Sequence, residues 1–179
     1  MTSLQTLDDA DRRAVAGWAA DCAERVLGLF EAEAPGDRTP RDAIERARAY
    51  SRGELDAAGE IKRRFVAGRA AGAATTQAGV SAARAAAQAA AVAHVGSHAL
   101  GAAAYAARAA ALASPDDPDA FDDELRWQLD RMTGDVRAAL RSLPPLGEDR
   151  AGPLGPGLLA SGMLGEAIRR IQEALGTPE

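Results

Sequence analysis

Residues 75–113 read TTQAGVSAARAAAQAAAVAHVGSHALGAAAYAARAAALA. Helix propensity is high along the whole stretch, because Ala loses no side-chain entropy on entering a helix. Gly96-Ser97 is the place where it would break, so the spacing predicts either one long helix or two. Small side chains on all sides and few charges assign the stretch to the centre of a bundle, with Ala103 buried. The rest of the chain extends this reading. Of 179 residues 45 are Ala, only ten are Phe, Tyr, Trp or Met, and the β-branched residues that favour strands are sparse. The fold class is therefore all-α, with helices that meet through Ala and bring their backbones close.

Downstream, Ser114-Pro115-Asp116-Asp117-Pro118 reads as a stop followed by a start, with Asp117 as N-cap and Pro118 at the first helical position. Phe121, Leu125, Leu129, Met132, Val136, Leu140 and Leu143 then give one helix its buried stripe, which Pro144-Pro145 ends. Four Pro and four Gly in 144–157 read as a linker. Beyond it Leu164, Ile168, Ile171 and Leu175 mark an amphipathic helix too short to stand alone, which needs its own bundle or a second copy to lie on.

Upstream, Val15, Trp18, Cys22, Val26 and Leu29 recur every three or four residues, predicting a helix over 8–33 that Pro35-Gly36 ends. Thr39-Pro40-Arg41-Asp42 starts a second helix that breaks near Gly53. A third is expected over 54–72, with Leu55, Ala58, Ile61, Phe65 and Arg69 on one side and Lys62, Arg63 and Arg64 on the other. The expected architecture is a compact bundle of about six helices plus a C-terminal amphipathic helix: a helical domain over 8–143, a linker over 144–157 and a helix within 158–179. A chain of this length can bury roughly 70% of its unfolded surface, enough for one core.

Charge narrows the function classes. The net charge of −5 divides as −4 over 1–40, +5 over 41–112, −4 over 113–143 and −2 over 144–179, so acidic segments flank a basic middle. The bases of that middle include Arg41, Arg46, Arg48 and Arg52, expected as a solvated face or as internal partners for the acidic helices. Acidic flanks would repel a phosphate backbone, so nucleic-acid binding is not expected. Gly152-Pro153-Leu154-Gly155-Pro156-Gly157 lacks the Lys and Ser/Thr of a phosphate loop, and its prolines remove backbone donors. The polar, acidic residues 1–13 lack the pattern of an export signal, and the lone Cys22 suits a reducing compartment, so a cytoplasmic location is expected. No membrane span is expected either, because Arg84, Gln88, His94, His98 and Arg108 interrupt the Ala-rich runs.

Candidate chemistry is sparse. In a continuous helix His94, Gly101, Tyr105, Arg108 and Leu112 would line one seam with His98 beside them. Two His at i and i+4 can share a metal, but a zinc site wants a third ligand, which Asp21 or Glu24 would have to supply. The plainer reading is two neutral His satisfied by hydrogen bonds, with no metal and no cofactor. Asp21 and Arg25 stand at i and i+4 on the first helix, either as an ordinary flank pair or as part of a pocket with His94, His98 and Tyr105. Cys22 lies on the apolar stripe and reads as core. On the sixth helix Trp127 stands off the stripe among Asp123, Glu124, Asp130 and Arg131, which suits a partner-binding surface of Asp123, Trp127 and Asp130, or burial against the C-terminal helix.

Four stretches carry a family likeness: Trp18-Ala19-Ala20-Asp21-Cys22-Ala23-Glu24-Arg25-Val26-Leu27; Ala43-Ile44-Glu45 through Ala47-Arg48-Ala49-Tyr50; Ala93-His94-Val95 through His98-Ala99-Leu100-Gly101 to Tyr105-Ala106; and Trp127-Gln128. Over about 8–143 the chain resembles the fifth-type-like immunity protein family, all-helical proteins of bacterial toxin systems. The resemblance implies a non-enzymatic protein that binds and neutralises a cognate toxin, and it supplies no catalytic residues. Acidic helices at 8–33 and 118–143 would complement a cationic toxin. The alternatives are a small-molecule or metal-binding protein using His94 and His98, and a self-associating protein, with a homodimer as its simplest form.

Overall fold

Gly96 and Ser97 do interrupt the alanine-rich stretch. In the computed structural model, which describes residues 3–63 and 66–176, helix α4 (Gln77–Ala91) ends in a turn over 92–97 and α5 (His98–Ala113) folds back along it. The two helices form the most extensive pairing in the molecule. Ala makes this possible, since a methyl group lets the backbones approach, and at Gly101 the Gln88 side chain fills the space that a Cβ would take. From α5, Ala99, Ala102, Ala103, Ala106 and Ala107 are fully buried.

Among the described residues six further α-helices complete the bundle: α1 (Asp9–Glu31), α2 (Thr39–Ser51), α3 (Ala57–Arg63), α6 (Ala120–Asp130), α7 (Gly134–Arg141) and α8 (Gly162–Leu175). Short 3-10 turns lie at Leu4–Thr6, Ala67–Ala73 and Leu158–Ala160, and no strand is present among the described residues. The chain is an all-helical bundle. Helix α1 lies against α2, α4, α5 and α7 through Val15, Trp18, Cys22, Val26, Leu27 and Phe30, all buried. Its start is capped by Asp8, whose carboxylate accepts from the Asp11 amide at 2.8 Å, with Asp9 and Asp11 in the first turn where the helix dipole favours acids. Beyond its other end, Glu33 accepts from the Thr75 and Thr76 amides at 2.7 and 3.0 Å and from both hydroxyls. Those bonds, that of the Thr76 hydroxyl foremost, hold its carboxyl down at about 2 and tie α1 to the start of α4.

Three elements differ from the expected ones. The helix expected over 54–72 is a single short α3 followed by a 3-10 turn, because Gly68 and Gly72 weaken the run beyond it. Arg64 and Phe65, expected on that helix, lie outside the described residues. The helix expected to reach 143 is two, α6 and α7. Thr133 restarts the chain by accepting from the Val136 amide at 3.3 Å, and Arg137 donates to the Leu129 carbonyl oxygen at 2.7 Å near the end of α6. Asp119, not Asp117, holds the N-cap position of α6, while Asp117 accepts from the Asp119 amide at 3.0 Å.

The Pro/Gly-rich residues 144–157 lie over the bundle as a chain of turns. Gln5 anchors them: its Nε2 donates to Asp149 and to the Ala151 carbonyl oxygen at 2.6 and 2.8 Å, and its Oε1 accepts from the Leu154 amide at 2.9 Å and from Ser97 at 3.2 Å. Leu154 is fully buried. Helix α8 then docks mainly on α5, burying Leu164, Ile168, Ile171 and Leu175. At roughly 1.5–3 kcal/mol for each buried side chain, this is a substantial attachment. No helix of the described residues is long and apolar enough to cross a membrane.

Candidate functional site

Glu124 on α6 sets the geometry of the face where α1, α2 and α6 come together. Only 5% of it reaches solvent, and a carboxylate taken out of water needs a charged partner. Arg25 on α1 supplies one: its Nε and Nη2 donate to Oε2 of Glu124 at 3.2 and 3.1 Å. The same guanidinium lies over the indole of Trp127, 4.3 Å from the ring centroid, and that of Arg131 lies over it at 5.0 Å. Cations held against an indole face are attracted by its quadrupole, by about 0.5–1 kcal/mol when exposed and more when desolvated.

Arg48 reaches the same face from α2. It donates to Oδ1 of Asp21 at 2.7 Å and to both oxygens of Glu24 at 2.9 and 2.6 Å. These bonds hold the Glu24 carboxyl below its ordinary range and raise the guanidinium's own pKa. Asp21, Glu24, Arg25, Arg48, Trp127 and Arg131 thus line one surface cleft of about 230 Å³. Its floor is fixed from behind. Trp18 Nε1 donates to the Gln128 carbonyl oxygen at 2.9 Å, and Gln128 Nε2 donates to the Ala103 carbonyl oxygen at 3.1 Å, so α1, α5 and α6 are bonded together at the residue that follows Trp127.

Several residues expected to act together are elsewhere. Asp21 and Arg25 are not partners of each other: buried Glu124 takes Arg25, and Arg48 takes Asp21. The seam of His94, His98 and Tyr105 required a continuous helix, and the turn over 92–97 dissolves it. His94 is exposed on that turn, while His98 opens α5 with Nδ1 2.7 Å from Oε1 of Gln88. Burial, aided by nearby His94, lowers the His98 pKa to about 4, so the ring is neutral at pH 7. Tyr105 is buried in the core, and none of the three lines the cleft. Among the described residues no group of three His, Cys, Asp or Glu side chains could hold a metal ion. Cys22 is buried on the inner side of α1, where burial first and then the Glu124 and Asp21 charges push its thiol pKa well up.

Trp127 is partly exposed in the cleft rather than buried against α8. Asp123 pairs with Arg126 at 2.6 Å, Asp130 is exposed, and neither is among the residues that line the cleft. Sequence reasoning passed over Arg48, Glu124 and Gln128 as site residues. Arg48 had a signal, since it stands in one of the stretches that carried the family likeness. The position of Glu124 had none, because its burial depends on how α6 rolls against α1.

Residues 5–135 match the family described as "Imm-5 like putative immunity protein". The chain belongs to that family. No curated protein and no solved structure matches it. In this Imm-5 like protein the match runs from the N-terminal turn to the first residues of α7, so that every cleft residue lies within it and α8 lies beyond it.

Proposed function

We propose that the protein is an immunity protein that neutralises its cognate toxin by non-covalent binding, with the Trp127 cleft at the centre of the contact. One observation carries this reading: three of the four stretches bearing the family likeness, distant in sequence, meet in that cleft through Asp21, Glu24, Arg25, Arg48 and Trp127. Trp and Arg are the side chains most enriched where binding energy concentrates. The indole here is partly exposed yet fixed, because Arg25 and the Gln128 bonds hold it, so little entropy is lost when a partner closes over it.

The acidic helices contribute differently from the first expectation. Near the cleft their carboxylates are already spent on Arg25 and Arg48, and Glu31 on Arg41. They do not form a bare acidic face there, so the net charge of −5 would act at long range, on the rate of encounter with a cationic toxin.

The test is co-expression of the chain with the proteins encoded beside its gene. One of them is expected to arrest growth when expressed alone, to be tolerated in the presence of this chain, and to co-purify with it. Trp127→Ala is expected to abolish both protection and co-purification while the variant stays folded. Protection by Trp127→Ala equal to that of the wild type would remove the cleft from the contact.

A further inference from the structure

Three guanidinium groups line the cleft, and two of them have carboxylate partners. Arg48 is bonded to Asp21 and Glu24, and Arg25 to Glu124. Arg131 is different. It is exposed, and among the described residues no carboxylate or carbonyl oxygen accepts from it; its contact is with the Trp127 ring. Among the described residues Arg25 also keeps Nη1 unbonded, its Nε and Nη2 being the atoms that reach Glu124. The cleft therefore presents a surplus of donors around an indole. Among the described residues its one unused carboxylate oxygen is Oδ2 of Asp21, whose charge Arg48 already offsets at 2.7 Å.

We infer that the cleft receives a carboxylate side chain of the partner protein, an Asp or Glu that pairs with Arg131 and reaches Nη1 of Arg25 beside the Trp127 ring. A guanidinium is a rigid fork matched to a carboxylate, and such charge-assisted pairs are about twice as strong as neutral ones. A basic partner residue is disfavoured by the same geometry, because it would meet Arg131, which has no carboxylate partner among the described residues, and compete for an indole face that Arg25 and Arg131 already hold. The specific contact thus has the opposite polarity to the net charge of the chain. This inference rests on the cleft being the partner contact.

The indole N–H signals of Trp18 and Trp127, resolved by NMR on the full chain and assigned with Trp127→Phe, provide the test. The probes are an acetylated tetraglutamate peptide, a tetralysine peptide and inorganic phosphate, each at millimolar concentration. Tetraglutamate is expected to move the Trp127 signal and leave that of buried Trp18 in place, and Arg131→Gln is expected to weaken this binding by about tenfold or more. A shift produced by tetralysine, an Arg131→Gln titration identical to the wild type, or no shift with tetraglutamate would overturn the inference. Phosphate acting as strongly as the peptide would overturn it too, in favour of a general anion site. The titration needs no toxin, so its failure is distinct from that of the immunity reading. A positive titration with no co-purifying neighbour would leave the carboxylate site standing and remove the toxin.

Discussion

Trp18 and Trp127 lie on helices that touch, yet their surroundings give them opposite roles. Trp18 is 3% exposed and donates its indole hydrogen to Gln128, so Trp18→Ala is expected to cost about 3–5 kcal/mol in chemical denaturation. Asp21 is half-exposed and shares Arg48 with Glu24, so Asp21→Asn is expected to cost no more than about 1 kcal/mol; a loss of several would place Asp21 in a buried network. His98 carries a pH signature. Its folded pKa is lowered from 6.5 to about 4, so the unfolded chain takes up a proton below 6.5 that the folded chain refuses. The stability it contributes is full above 6.5 and is lost as pH falls through about 4. Melting temperature is therefore expected to fall with pH across that window, and less steeply in His98→Asn. Burial of Trp18 and Cys22 was legible from the three-and-four spacing of the apolar stripe. The partners of Asp21 and Arg25 were not, because an ion pair within one helix looks the same in sequence whether or not a third residue from another helix takes one member away.

Among the elements, the α4–α5 hairpin owes its close approach to Ala and Gly. Ala103→Phe is expected to overpack its centre and cost about 1–3 kcal/mol, measured by denaturant titration, since Ala103 is fully buried and its carbonyl holds Gln128. An unchanged midpoint would mean that the interface yields more easily than the packing implies. Thr133→Ala is expected to remove about 1 kcal/mol by taking away the cap that restarts the chain as α7. That break was hidden by the apolar stripe from Phe121 to Leu143, which keeps helical spacing across it, so periodicity outweighed the weaker Thr-Gly start signal. The break at Gly96-Ser97 was visible as a possibility only. What settles it is tertiary: the Leu4–Thr6 turn bonds to the loop, with Gly96 and Ser97 amides donating to the Thr6 and Gln5 carbonyl oxygens at 3.0 Å each.

For the whole molecule, the all-α class followed from composition, and the docking residues of α8 from its spacing of three and four. Deleting 144–179 removes α8 and the buried Leu154 and exposes the apolar side of α5. Lower melting temperature and lower solubility are expected of the truncated chain; equal stability would mean that α8 is an accessory. The cleft, by contrast, was legible only as scattered residues. Asp21, Arg25 and Trp127 were each singled out, but nothing in a linear pattern says that α1, α2 and α6 bring them within one cleft of about 230 Å³. The most direct test of the account is an isothermal titration of the proposed toxin, the growth-arresting product of a neighbouring gene, against wild type and Trp127→Ala. Saturable binding by the wild type, weakened by about thirtyfold or more in Trp127→Ala with the melting temperature little changed, is predicted from a central contact worth about 2 kcal/mol or more. Equal affinity for both chains would contradict it.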